Sequence, residues 1–346
     1  MKAASYQGEK AVKVIDVEKP GIKGSRDALV RITLGAICGS DLHIYHGNVP
    51  FSPGELLGHE FVGVVEEVGS EVQRFKAGDR VVSAFYTSCG FCALCRKGWF
   101  SQCEHKEIFG FGKAIGGTLG GAQAEFVVVP HADHTMEPIP AGMSDEQAIF
   151  VGDILATGMF AAQRAEIRPG DAVAVIGAGP VGLMATMCAQ LYGPAKVFVV
   201  DMVDARLEIA RQLGGIPINA REVNPIEAID AQTAGLGVDS SIEAVGAVAS
   251  VDTAIRSVRG GGTISMVGVP SQYAGDFPYI PAWEKSLTFR IGVCNVQEHM
   301  RPLLDLIVAG RLKPEMIISH RMRLDDVEEA YRMFDAREAT KIVLTP

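Results

Sequence analysis

Apolar and polar positions fall into two textures along the chain. In the first 150 residues, short β-branched runs at 28–34, 61–68, 80–84 and 124–129 are separated by Gly, Pro and Asp. That is the pattern of strands divided by turns. The texture changes near Thr157. From Asp171 to about Val293 apolar runs alternate with helical stretches, and the runs at 172–176, 197–200, 239–244, 263–267 and 287–291 are the expected strands. Alternation of this kind predicts a doubly wound parallel sheet, placing the chain in the α/β class. Beyond Gln297 the spacing predicts two amphipathic helices, 300–309 and 325–335, and a closing strand at 341–345. There is no internal repeat, low-complexity tract or long flexible linker.

Composition narrows the possible partners. A length of 346 residues suggests two domains, and 48% hydrophobic with 21% charged residues supplies ample core. Thirty-two basic against 41 acidic side chains leave a formal charge of -9. Such a surface repels phosphate backbones and anionic lipid, which argues against nucleic acid and membrane partners. One uncharged run, 172–195, is long enough to raise the question of a membrane span. Gly177, Gly179, Pro180, Gly182, Gly193 and Pro194 divide it into a strand, a turn and a helix. The N-terminus carries no apolar stretch or small-residue cleavage site, so a cytoplasmic location is expected.

The run at 173–182 reads Val-Ala-Val-Ile-Gly-Ala-Gly-Pro-Val-Gly: a strand, then G-x-G-x-x-G, then a helix. Gly177 permits a tight turn, Gly179 lets backbone approach a pyrophosphate, and Gly182 allows close helix–strand packing. Pro180 and Val181 open the helix, whose free N–H groups and dipole suit phosphate. A glycine-rich turn alone is weak evidence. Here the next strand ends in Asp201, nineteen residues after Gly182. That carboxylate is placed to accept from the ribose hydroxyls of NAD and to repel the 2′-phosphate of NADP.

Seven cysteines add a second chemistry. Cys89, Cys92, Cys95 and Cys103 lie within fifteen residues, whereas Cys38, Cys188 and Cys294 are scattered. Disulfide frameworks belong to short secreted chains, and this is neither. Four thiolates on one loop suit a closed tetrahedral structural zinc. An iron–sulfur cluster and a redox disulfide pair are the alternatives.

Two further segments sit in the β-rich half: Cys38-Gly39-Ser40-Asp41-Leu42-His43 and Gly58-His59-Glu60. Singly, a buried cysteine is usually inert and a lone histidine merely packed. Together with G-D-x-x-x-T-G at 152–158, the four cysteines and the glycine motif, they form five motifs in order. On these the chain, from about Leu29 to its C-terminus, resembles the zinc-containing medium-chain alcohol dehydrogenases.

The resemblance implies a discontinuous GroES-like catalytic domain, 1–155 with 294–346, and an NAD-binding Rossmann domain, 156–293. It implies a catalytic zinc held by Cys38, His59 and a third ligand. Where the family often has a second cysteine this chain has Asp153, and carboxylate oxygen is a credible zinc donor. Glu60 is the rival ligand, and Asp41 resembles the carboxylate that orients the histidine. An open zinc position would lower the pKa of a bound alcohol, so that an alkoxide passes hydride to NAD. Ser40 would take the proton and relay it through the cofactor ribose to His43.

By the same resemblance Thr157 lies against the nicotinamide, Phe85 lines the substrate pocket, and Arg206 flanks the adenosine ribose. Val269 joins the cofactor-binding set. Lys341 would offer a basic group to the pyrophosphate, with a plain surface lysine as the other reading. The active site would lie in an interdomain cleft, and the strand at 286–293 would pair across a two-fold in a homotetramer. The expected substrate is a primary or secondary alcohol; a polyol, threonine or formaldehyde dehydrogenase is the alternative. A metal-free quinone-reducing or non-catalytic relative would have no need of Cys38, His59 and Asp153.

Overall fold

The β-rich texture becomes seven strands in the computed structural model, which describes residues 1–112, 117–270 and 277–346. They are β1 (Lys2–Gly8), β2 (Ala11–Asp16), β3 (Ala28–Ala36), β4 (Glu60–Val68), β5 (Arg80–Ser83), β6 (Phe126–Val129) and β7 (Met136–Pro138). β1 and β2 form an antiparallel pair. β3, β4, β5 and β7 are antiparallel neighbours in that order, with β6 also paired to β3. One face carries Val30, Ile32, Phe61, Val65, Val81 and Val127 into a buried cluster. The burial of each such side chain contributes roughly 1.5–3 kcal/mol.

The alternating stretch forms a second unit, Thr157–Cys294. Its strands are β8 (Ala172–Ile176), β9 (Lys196–Asp201), β10 (Ile216–Asn219), β11 (Val238–Glu243), β12 (Val258–Met266) and β13 (Thr288–Ile291). They form a parallel sheet in the order β10-β9-β8-β11-β12-β13, with helices interleaved in the chain. This is the expected doubly wound fold. β8 is apolar along its length because a parallel strand at mid-sheet is covered on both faces. The uncharged run is therefore β8, a turn and helix Pro180–Ala189, which is buried from Gly182 onward. No helix among the described residues is long and apolar enough to cross a membrane. β10, unforeseen in the sequence, contains Pro217; at a sheet edge the missing N–H is tolerated.

The tail returns to the first unit, which comprises Met1–Ala156 and Asn295–Pro346. Helix Val296–Val308 begins four residues earlier than expected, and helix Val327–Asp335 follows a short 3₁₀ turn, Leu324–Asp326. β14 (His320–Arg323) and β15 (Ile342–Thr345) extend the sheet, with β15 antiparallel to β3. A second core joins Tyr6, Ile37, Ile44, Leu57, Tyr331, Phe334 and Ile342.

Candidate active site

Register, rather than sequence proximity, assembles the first cluster. Ala36 at the end of β3 pairs with Glu60 at the start of β4. Cys38, just past one, and His59, just before the other, are therefore neighbours. Asp153 follows the 3₁₀ turn Ile149–Gly152, which is tied to the end of β5 by Phe85 N donating to Gly152 O at 2.9 Å. One ligand atom from each of Cys38, His59 and Asp153 lies within 4.8 Å of the others, and all three residues are buried. A tetrahedral zinc with bonds of 2.0–2.3 Å needs ligand spacings of about 3.3–3.8 Å. The set fits a zinc ion after small adjustments.

The surroundings favour a cation. Burial pushes the Cys38 thiol up, and the Asp153 and Glu60 carboxylates push it further in that direction. Burial alone would lower His59, but Asp41, Asp153 and Cys38 outweigh it and hold the imidazole well above its ordinary range. His59 Nε2 lies 3.2 Å from both Asp153 Oδ2 and Ser40 Oγ. Its Nδ1 is 3.1 Å from Asp41 Oδ1, close enough for an ion pair but outside hydrogen-bond geometry. Asp41 Oδ2 accepts from Cys38 N at 2.9 Å and from Gln123 Nε2 at 3.2 Å. Glu60 Oε1 is buried without a hydrogen-bond partner among the described residues. Ser40 precedes helix Asp41–Tyr45, which also carries half-buried His43. The Phe85 and Phe111 rings lie 6.1 and 5.4 Å from the His59 ring.

Lys341 requires a correction. It is neither a surface lysine nor poised for a pyrophosphate, because its side chain has no exposure. Its ammonium donates to Ile37 O at 2.8 Å and to the Glu60 carboxylate. Burial works against its charge, and Glu60 more than restores it. β15 places the lysine there by pairing with β3 beside the metal ligands.

The second cluster is the loop of Cys89, Cys92, Cys95 and Cys103, whose sulfurs also lie within 4.8 Å of one another. Cys89 and Cys95 sulfurs are 4.0 Å apart, close to the separation of about 3.8 Å for two thiolates on one zinc. Backbone N–H groups of Cys89, Cys92, Cys95 and His105 point at these sulfurs at 3.3–3.4 Å. Such donors pull the Cys92 thiol down to about 6, the Cys95 N–H contributing most. Four buried sulfurs leave no place for a substrate.

In the second unit Gly177 adopts φ 97°, and a Cβ on Gly182 would stand 1.8 Å from Gly177 O. The glycines are required by backbone conformation and by close approach. A Cβ on Gly179 would meet nothing within 4 Å, which leaves space in front of helix Pro180–Ala189 for a phosphate. Asp201 ends β9; its Oδ2 accepts from Ala178 N at 2.6 Å and its Oδ1 from Met202 N and Val203 N. Thr157 and Arg206 are half-buried, and Val269 is exposed.

Sequence reasoning missed Phe111 and Gln123. Gln123 is buried and bonds to Ala36 O and Asp41, while Tyr331 Oη donates to its side-chain oxygen at 2.9 Å. Nothing in its spacing marks it; a polar residue inside the small apolar stretch 121–124 was the one available signal.

A family model described as alcohol dehydrogenase GroES-like domain matches residues 24–141, and one described as zinc-binding dehydrogenase matches 180–309. The solved alcohol dehydrogenase TADH from Thermus sp. ATN1 is 44% identical, with a TM-score of 0.95 over 100% of this chain and 99% of its own. An alcohol dehydrogenase of Cupriavidus necator is 37% identical over 96% of this chain and 95% of its own. A chain from Sinorhizobium meliloti 1021, solved bound to NADP, is 28% identical, with a TM-score of 0.87 over 100% and 99%.

Proposed function

Because the chain belongs to the zinc-containing medium-chain alcohol dehydrogenase family, we propose that it interconverts primary or secondary alcohols and their aldehydes or ketones with NAD. The observation that carries this reading is the convergence of Cys38, His59 and Asp153 within 4.8 Å in a buried site. These three would hold the catalytic zinc, and the four-cysteine loop a structural one. When bound, the first ion supplies Lewis-acid polarisation of the substrate oxygen, and the nicotinamide supplies the hydride acceptor.

The chain's own groups do the rest. Asp41, fixed by Cys38 N and Gln123, faces His59 Nδ1, so that Nε2, turned towards Asp153, is the atom that would hold the zinc. Ser40 Oγ, 3.2 Å from that nitrogen, takes the hydroxyl proton of the alcohol. His43, on the helix that begins beside Ser40, passes it towards solvent. Burial and the His46 charge hold the His43 imidazole below its ordinary value, so it is neutral and able to accept near pH 7. Phe85 and Phe111 give the site an apolar wall, which suits simple alcohols.

Gly177, Gly179, Pro180, Val181 and Gly182 would cradle the pyrophosphate, with Thr157, Arg206 and Val269 completing the cofactor set. Asp201 would accept from the adenosine ribose, the feature that favours NAD. The protein is proposed to be a homotetramer. Tyr279, Ile280, Trp283 and Ile291, each more than 60% exposed on or near the edge strand β13, support such an assembly.

A panel of alcohols, polyols and carbonyls, followed by absorbance with NAD and with NADP, tests the assignment alongside zinc analysis. Two zincs per chain and NAD-linked turnover of simple alcohols are expected. A metal-free active protein, or turnover confined to polyols, would sink it. Asp201→Ala should shift the NADP:NAD ratio of kcat/KM upward by about tenfold or more. An unchanged ratio would make Asp201 a mere strand end.

A further inference from the structure

β11 ends in Glu243, a carboxylate with no exposure. Its register partners are Ile176 on β8 and Met266 on β12. The strand order reverses between β8 and β11, and at such a point the carboxyl ends of parallel strands face a ligand. None of the roles assigned above uses this acid. Its Oε1 accepts from Val245 N at 2.9 Å, Gly246 N at 2.8 Å and Ser250 Oγ at 2.6 Å. Three donors on one oxygen knot the turn after β11 to the start of helix Val248–Ser257. Oε2 has no hydrogen-bond partner among the described residues and lies under Gly268, where a Cβ would stand 2.6 Å away.

Two contacts lead outward from the knot. A Cβ on Gly177 would stand 2.4 Å from Val245 Cγ2, so Val245 packs directly on the glycine turn. A Cβ on Gly246 would stand 1.9 Å from Val269 O, and one on Gly268 2.2 Å from Gly246 N. The backbone of the knot therefore touches the backbone of the 268–269 loop. Val267 N and Gly268 N also donate to the Glu243 carbonyl, at 2.9 and 3.1 Å. Close-packed backbone of this kind transmits a shift rather than absorbing it.

We propose that Glu243 is a positioning residue for the dinucleotide, its carboxylate holding the 244–247 turn so that the Gly177 turn and the Val269 loop keep the geometry the cofactor needs. The inference rests on the reading that this unit binds a dinucleotide. Without the carboxylate, two partly buried amides and a partly buried hydroxyl lose their acceptor, and the turn loses the contacts that fix its shape.

The test is calorimetric binding to the purified full chain, using whichever of NAD and NADP the unaltered protein binds more tightly. Glu243→Ala is expected to raise Kd at least about tenfold, while kcat at saturating cofactor stays within about threefold. Glu243→Gln keeps an oxygen for the three donors and should restore affinity to within about threefold of the unaltered protein. Unchanged affinity in Glu243→Ala, or equal loss in the Ala and Gln variants, overturns the inference. Should Glu243→Ala fail to fold, Ser250→Ala decides: removing one donor is expected to weaken binding about threefold, and no change refutes the role. Binding of neither dinucleotide by the unaltered protein would defeat this role together with the functional reading. Tight binding by Glu243→Ala would defeat this role alone.

Discussion

Cys38 sits out of water beside two carboxylates, where its anionic form is costly unless a cation shares the site. Altering residues that merely support a metal ligand already costs 10–100-fold, so Cys38→Ser should lower turnover by more than about 100-fold. Its dinucleotide affinity should be unchanged; parallel loss of both would remove Cys38 from the metal site. Lys341 and Glu60 make a different case, since both are buried and each is the other's main charge partner. Removing one leaves an uncompensated charge, and Lys341→Met should cost about 3–5 kcal/mol in urea unfolding. Adding Glu60→Gln should recover part of that loss, and strict additivity would show that the pair is not coupled. Lys341 also marks where sequence reasoning failed. A basic residue in a Thr-Lys-Ile-Val-Leu strand looks exposed, and only the pairing of β15 with β3 reveals that it is sealed in.

At the scale of elements, the four-cysteine loop has little apolar core of its own: among the described residues, Leu94 and Phe100 are the partly buried hydrophobics packed against the cysteines. Metal ligation takes over the task that side-chain burial performs elsewhere. Cys95→Ser should therefore reduce zinc from two to one per chain and lower Tm, with Kd for dinucleotide retained. Full zinc occupancy in that variant would rule out a four-thiolate site. This loop and the Gly177 turn were readable in advance because their information is short-range: four cysteines within fifteen residues, three glycines within six. β10 was not readable, since a four-residue edge strand with a proline carries no periodicity.

On the whole molecule, acid should destabilise the fold through half-buried and buried histidines whose charged form burial disfavours. Burial holds His43, His131, His134 and His299 below the ordinary value of 6.5. Unfolding then takes up protons, so their contribution is complete above about pH 6.5 and is lost as pH falls below it. Each group adds at most about 1.4 kcal/mol per pH unit within that window. His59 shifts in the opposite sense, so the clean measurement is a comparison. Urea unfolding of His134→Gln should show a shallower loss between pH 6.5 and 5 than the unaltered protein, and an identical slope would discount His134. The amino-acid sequence by itself determined the two textures, the parallel sheet, the phosphate-type turn and the four-thiolate loop, because each is written in neighbours a few positions apart. Only the tertiary structure decided that Cys38, His59 and Asp153 meet, that Gln123 steadies Asp41, and that Lys341 is interior. Those facts depend on strand register and burial, which join residues dozens to hundreds of positions apart and leave no local periodicity behind.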